Sequence, residues 1–294
     1  MTASSSVMAS SQKLASLTEQ TWIQIGALSD LLNESDRSFQ AYEYALRHNP
    51  YSIQALKQLA VFYKNKESYS KAAEYYQRAI NIEAHNGETW ANLAYCYLMT
   101  DELQKSYSAY QQALYNLSNP RDPNMWYGIA RLYDRYSSYE HAEEAYNAVL
   151  KMDPRFEKAN DIYFRLGLLY KHQKKFETSV ECLRYVLTNR PKSMTESDIL
   201  FEIGHVYECS GDIASAKEVY DKLLLENSKN VKCLQQLGWL LQQPSKYQNF
   251  EIAVHLLNRC LELKPNDGQV LYLLGRAYMA QKNYTKAYEV FQNA

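Results

Sequence analysis

The stretch WANLAYCYLMTDELQKSYSAYQQA, residues 90–113, decides the fold. Trp90, Leu93, Ala94 and Tyr97 recur at helical spacing and share one face of a first helix. Ser106, Tyr110 and Ala113 do the same for a second helix. Residues 126–154, WYGIARLYDRYSSYEHAEEAYNAVLKMDP, repeat the pattern: Trp126, Ile129, Ala130 and Tyr133, then Ala142, Tyr146 and Val149, with Pro154 closing. Working outward, units of about 34 residues begin near residues 19, 53, 87, 123, 160, 197, 231 and 268, position 1 being three residues before Trp22.

The unit's small and large positions are regular. Position 8 is Gly26, Ala60, Ala94, Ala130, Gly167, Gly204, Gly238 and Gly275. Position 20 is Ser38, Ala72, Ser106, Ala142, Ser179, Ala216, Ala253 and Ala287, and position 24 is Tyr42, Tyr76, Tyr110, Tyr146, Leu183, Tyr220, Leu257 and Phe291. Small residues at 8 and 20 allow close helix approach, and the large residue at 24 is expected to fill the gap to the next layer. Pro50, Pro154, Pro191 and Pro265 fall where the second helix must stop. Longer turns are expected at 118–123, 155–160, 191–197 and 242–250. The fold class that follows is all-α, a right-handed superhelical solenoid of about eight helix-turn-helix repeats over 19–294, the last one truncated so that the array is expected to continue beyond Ala294. Residues 1–18, Ser-rich and nearly uncharged, are expected as a disordered tail.

Composition narrows the function. The formal net charge is −1, from 32 basic and 33 acidic residues, which gives no global nucleic-acid or membrane-surface signal. Tyrosine dominates the aromatics at 27 residues, suiting thin layers never far from water. Cys96, Cys182, Cys209, Cys233 and Cys260 are scattered without C-x-x-C spacing and read as reduced thiols. There is no phosphate-binding glycine loop, nucleophile elbow or zinc-protease motif, so neither catalytic nor metal-binding residues nor cofactors are expected. His205 beside Glu208 reads as polar lining rather than as an acid or metal ligand. The cluster Lys171, His172, Lys174 and Lys175 reads as a solvated turn.

The repeat resembles the tetratricopeptide repeat. In that family positions 2, 5, 9 and 12 of the first helix line a concave groove. The resemblance therefore implies partner-binding roles for Ile23, Asp30, Lys57, Val61, Lys64, Tyr95, Leu98, Tyr127, Arg131, Phe164, Phe201, His205, Trp239 and Tyr272. Chaperone-type members hold a C-terminal carboxylate with Lys at position 5 and Asn at position 9. Here the Lys at position 5 is Lys57, its position 9 is Val61, and no unit has Asn at position 9, so that mode is not expected.

Residues outside the skeleton carry a narrower resemblance. The stretches 96–120, 132–146, 153–176, 231–241 and 273–294 are similar to the tetratricopeptide-repeat subunit of the fungal general transcriptional corepressor. That resemblance implies a nuclear, non-enzymatic adaptor whose first repeats bind a WD40-propeller corepressor subunit. Other repeats would dock sequence-specific DNA-binding repressors, with no direct contact to nucleic acid or membrane. FEKANDIYFRLGLLYK (156–171) is also similar to the repeat region of a nuclear histone lysine demethylase, which leaves a targeting region of a chromatin enzyme as an alternative, alongside a scaffold of another complex.

Overall fold

The computed structural model describes residues 2–118, 120–191 and 194–294, with side chains from residue 13 onward. Within these residues the chain is all-α, sixteen helices and no strand. Two compact units divide it, Met1–Pro154 and Arg155–Ala294. The first holds α1 (Thr2–Leu31), α2 (Ser35–His48), α3 (Ile53–Asn65), α4 (Tyr69–Ile82), α5 (Gly87–Met99), α6 (Leu103–Asn116), α7 (Pro123–Arg135) and α8 (Tyr139–Met152). The second holds α9 (Ala159–His172), α10 (Phe176–Thr188), α11 (Glu196–Ser210), α12 (Ile213–Glu226), α13 (Val231–Leu240), α14 (Phe250–Leu263), α15 (Gly268–Ala280) and α16 (Tyr284–Gln292). Odd helices are the first helix of each repeat and even helices the second. Of the long turns, residues 119, 192 and 193 lie outside the described residues.

The Ser-rich start departs from expectation. From Thr2 it is helical and continuous with the first repeat, so α1 is 30 residues long. No Gly or Pro occurs before Gly26, and Ala, Leu, Met, Gln and Lys favour the helix.

Within a repeat the two helices meet through the small positions. Ser106 Oγ donates to the Ala94 carbonyl at 2.8 Å and Ser179 Oγ to the Gly167 carbonyl at 2.6 Å, joining position 20 to position 8. The large residue at position 24 packs over the glycines at position 8 of its own repeat and also reaches the next layer, as Tyr42 does beside Leu59. A Cβ placed on Gly167 would lie 2.8 Å from Leu183 Cγ, and one on Gly204 would lie 2.7 Å from Tyr220 Cε1. Tyr110 also reaches forward, its hydroxyl abutting Gly128 of the following repeat.

The turn between paired helices is a backbone device. Position 15 is left-handed at Asn33, Glu67, Asp101, Ser137, Lys174, Gly211 and Lys282, with φ between 56° and 84°. In the second repeat the Glu67 N–H returns to the Lys64 carbonyl at 3.0 Å and the Ser68 N–H to the Tyr63 carbonyl at 2.9 Å. This pair of bonds is a Schellman motif, which satisfies carbonyls that a helix end leaves open. The seventh repeat closes instead through a longer turn, with the Asn249 N–H on the Leu241 carbonyl at 2.9 Å. The second helices α2, α8, α10 and α14 end two or three residues before Pro50, Pro154, Pro191 and Pro265.

Core residues form a succession of layers in the first unit, such as Tyr42 with Leu59 and Tyr110 with Ile129. In the second unit a single cluster includes Leu183, Ile199, Tyr220, Leu237, Leu257 and Val270. Gly167→Leu is expected to overpack the α9–α10 pair against fully buried Leu183. Urea denaturation followed by circular dichroism should show a loss of about 1–3 kcal/mol.

Candidate partner-binding face

The odd helices place the expected groove residues, and three of them are core. Ile23 is 6% exposed, Leu98 1% and Tyr127 4%. Ile23 packs with Tyr42, Ala55 and Leu59, and Leu98 with Tyr110 and Ile129. The Tyr127 ring lies 6.4 Å from that of Tyr146. Ile23 and Leu98 pack against the following repeat as well as their own second helix, and Tyr127 lies against Tyr146 of its own. Asp30 is surface-exposed but already employed, accepting from Ser38 Oγ and, at 2.8 Å, from the Tyr42 hydroxyl.

In the first unit the remaining residues form a polar and aromatic strip. Lys57 Nζ meets Glu83 Oε2 at 3.1 Å, and Lys64 Nζ donates to Asn92 Oδ1 at 2.8 Å. The lysine holds the Glu83 carboxyl below its ordinary pKa, chiefly through that hydrogen bond. Val61 is half-buried against the core around Tyr76 and Leu93. Tyr95 meets Tyr69 edge-on at 6.1 Å. Arg131 Nη1 points to Met99 Sδ at 3.5 Å, and the guanidinium lies 6.0 Å from the centre of the Tyr127 ring.

In the second unit Phe164, Phe201 and Trp239 are half-buried against the core, while Tyr272 is 55% exposed beside Phe291. His205 joins a network spanning two first helices, α9 and α11. Lys171 Nζ binds Glu202 Oε2 at 2.8 Å and donates to His205 Nδ1 at 3.0 Å. The His205 proton is then on Nε2, 3.9 Å from Cys209 Sγ. Burial, then the Lys171 charge, holds the imidazole below its ordinary pKa. Glu208 accepts from Gln236 Nε2 at 2.7 Å and from the Tyr220 hydroxyl at 3.1 Å, yet burial still raises its pKa.

Among the described residues no group of three His, Cys, Asp or Glu is placed to hold a metal ion, and no helix is long and apolar enough to cross a membrane. Burial pushes the thiols of Cys182 and Cys233 up to about 11 and that of Cys96 to about 12, which keeps them protonated and unreactive.

A feature absent from the sequence reading is the fate of the position-24 hydroxyls. Tyr42 and Tyr220 each donate to an acid at position 12 of the same repeat, Asp30 and Glu208. In repeats two and three position 12 is Lys64 and Leu98, and the buried hydroxyls of Tyr76 and Tyr110 have no hydrogen-bond partner.

Two outcomes follow from this chemistry. Tyr110→Phe is expected to leave stability unchanged or raise it, because no bond is lost, whereas Tyr220→Phe should cost about 1–3 kcal/mol by depriving half-buried Glu208 of one of its donors. Paired denaturation curves check this. For His205, the folded pKa lies below the ordinary 6.5, so the unfolded chain protonates first as pH falls. Stability present above 6.5 is therefore lost as pH drops through the folded value. Glu208 has the opposite sign: its folded pKa is raised, so the folded chain protonates first and stability is gained as pH falls toward 4.5. His205→Gln should lose less stability than the parent on acidification below pH 6.5.

Comparisons with known proteins agree with this architecture. Tetratricopeptide repeat models match residues 53–86, 127–193, 197–230 and 246–294. The chain is 57% identical over 96% of its length to general transcriptional corepressor trfA of Dictyostelium discoideum, and 55% identical over 96% to general transcriptional corepressor ssn6 of Schizosaccharomyces pombe. It is 45% identical over 96% to the general transcriptional corepressor CYC8 of Saccharomyces cerevisiae. The similarity thus extends from fungi to Dictyostelium. The chain spans 20%, 26% and 29% of these relatives. Among solved structures, the Cut9 and Hcn1 hetero-tetramer aligns with a TM-score of 0.57 at 14% identity, covering 89% of this chain and 53% of that one. A tetratricopeptide repeat protein of Parabacteroides merdae aligns at 0.54 and 18% identity, covering 90% of this chain and 99% of that one. Both share the fold alone. From the periodic small and large positions, the helix pairs they build and the models they match, the chain belongs to the tetratricopeptide repeat family.

Proposed function

We propose that this chain is the protein-docking region of a general transcriptional corepressor, working in the nucleus as an adaptor without chemistry of its own. The observation that carries the reading is identity of 45–57% over 96% of the chain to proteins named as such corepressors. The first-helix faces supply docking surface for protein segments, which repeat arrays of this kind present in place of an enclosed pocket.

In this reading repeats one to three receive a helical segment of a WD40-type partner, and other repeats receive DNA-bound repressors. The surface of α1 supports that assignment. Leu14, Leu17, Ile25, Leu28 and Leu31 recur at successive intervals of three, eight, three and three residues, and all are exposed, Leu14 at 66% and Leu31 at 81%. This apolar stripe suits a partner helix bearing its own apolar seam. Trp22, Ile23 and Gly26 occupy the opposite side, toward α2.

The test is titration calorimetry of the chain against the N-terminal helical segment of a WD40 corepressor subunit. Saturable binding is expected, weakened about tenfold or more by Leu17→Glu with Leu28→Glu while circular dichroism stays helical. No binding by the folded chain would remove this partner from the proposal.

A further inference from the structure

The exposed face of α1 carries more order than an apolar stripe requires. Leu14, Leu17, Thr21, Gln24, Leu28 and Leu31 follow one another at alternating steps of three and four residues, the a and d positions of a heptad. All six are exposed, and each of the four leucines is more than half exposed. The seam is thus a leucine pair, a polar pair and a second leucine pair. None of the six is charged, so two such seams meet without like-charge repulsion.

This order reads alike from both ends. An antiparallel copy of the helix, turned about an axis between Thr21 and Gln24, brings Leu14 opposite Leu31, Leu17 opposite Leu28 and Thr21 opposite Gln24. Each contact then occurs twice, as a two-fold interface demands. The polar pair sets the direction. The Thr21 hydroxyl donates to the Leu17 carbonyl at 2.8 Å, which leaves its oxygen to accept. Opposite it, the Gln24 amide has N–H groups to give. A parallel pair would set Thr21 against Thr21, with both hydroxyl protons already given to their own helices. One polar layer in an apolar seam also holds the register, at a cost in affinity. The approach is open, because Trp22, Ile23 and Gly26 lie toward α2 on the far side of α1.

We propose that α1 pairs antiparallel with α1 of a second copy of this chain through this seam, and that the pair covers the stripe until a partner helix replaces it. The pairing stands on the seam alone. The replacement rests on the reading of α1 as the face that receives the WD40-type segment, because one helix face cannot hold both. A partner helix must then outcompete a leucine seam with a polar centre, so weakly matched apolar helices are turned away.

The experiment is sedimentation equilibrium of the whole chain between about 1 and 100 μM, where mass action should carry it from monomer toward dimer. Leu17→Glu alone and Leu28→Lys alone should each weaken the dimer about tenfold or more, with circular dichroism still helical. Mixing the two variants should restore a dimer, because antiparallel pairing sets the introduced acid against the introduced amine. A mixture no better than its components overturns the antiparallel pairing, as does a parent chain that stays monomeric at about 100 μM. Titrating the WD40 segment into the dimer should dissociate it in step with binding. Segment binding that leaves the dimer whole overturns the covering role. A monomeric chain that still binds the segment defeats this inference alone, whereas a dimer to which the segment never binds defeats the partner assignment and upholds the pairing.

Discussion

Close approach of two helices at a short side chain is the condition on which the molecule is built. Position 8 is glycine or alanine in every repeat, and at its five glycines the large residue at position 24 lies directly over it. The spacing leaves no room for a further carbon at Gly26, Gly167, Gly204, Gly238 or Gly275 without displacing the ring or branched chain opposite. Dense packing makes this a steric rule. The serine hydroxyls at position 20 add hydrogen bonds across the same gap, so the helix pair is held by contact and by a buried polar link. Each layer then presents its first helix in a fixed orientation, which places positions 5, 9 and 12.

The same packing decides which side chains remain for partners. In repeats one and six the tyrosine at position 24 donates its hydroxyl to the acid at position 12. Asp30 and Glu208 are committed in this way. Where position 12 is Lys64 or Leu98, that inward polar link is missing. The first unit thus holds buried hydroxyls at Tyr76 and Tyr110 that have no hydrogen-bond partner, whereas the second knits Lys171, Glu202 and His205 into a polar network. The two units carry one fold and two different surface chemistries.

The architecture was legible because it is written in sizes. Small and large residues at fixed intervals survive any change of surface chemistry, and the phase set by Trp90 and Trp126 locates the helix pairs. The face was less legible. Family positions give the side of the helix, but Ile23, Leu98 and Tyr127 sit where a side chain has two destinations, and the depth of the adjacent helix decides between them. The Ser-rich start carries almost no charge, which suits a tail, yet it holds no Gly or Pro to interrupt a helix.

The left-handed turn has a bearing on how such a chain grows. Its closure uses backbone groups, and Glu67, Asp101, Ser137 and Lys174 adopt it as Gly211 does. Six of the seven residues found there bear a side chain, although the conformation costs about 1–2 kcal/mol for each of them. The corner is consequently indifferent to what the side chain says, and its shape is inherited with the length of the segment. A gene that duplicates one whole period copies a working corner with it. Surface residues of the copy are then free to diverge, which is how one ancestral hairpin becomes a series of distinct docking stations.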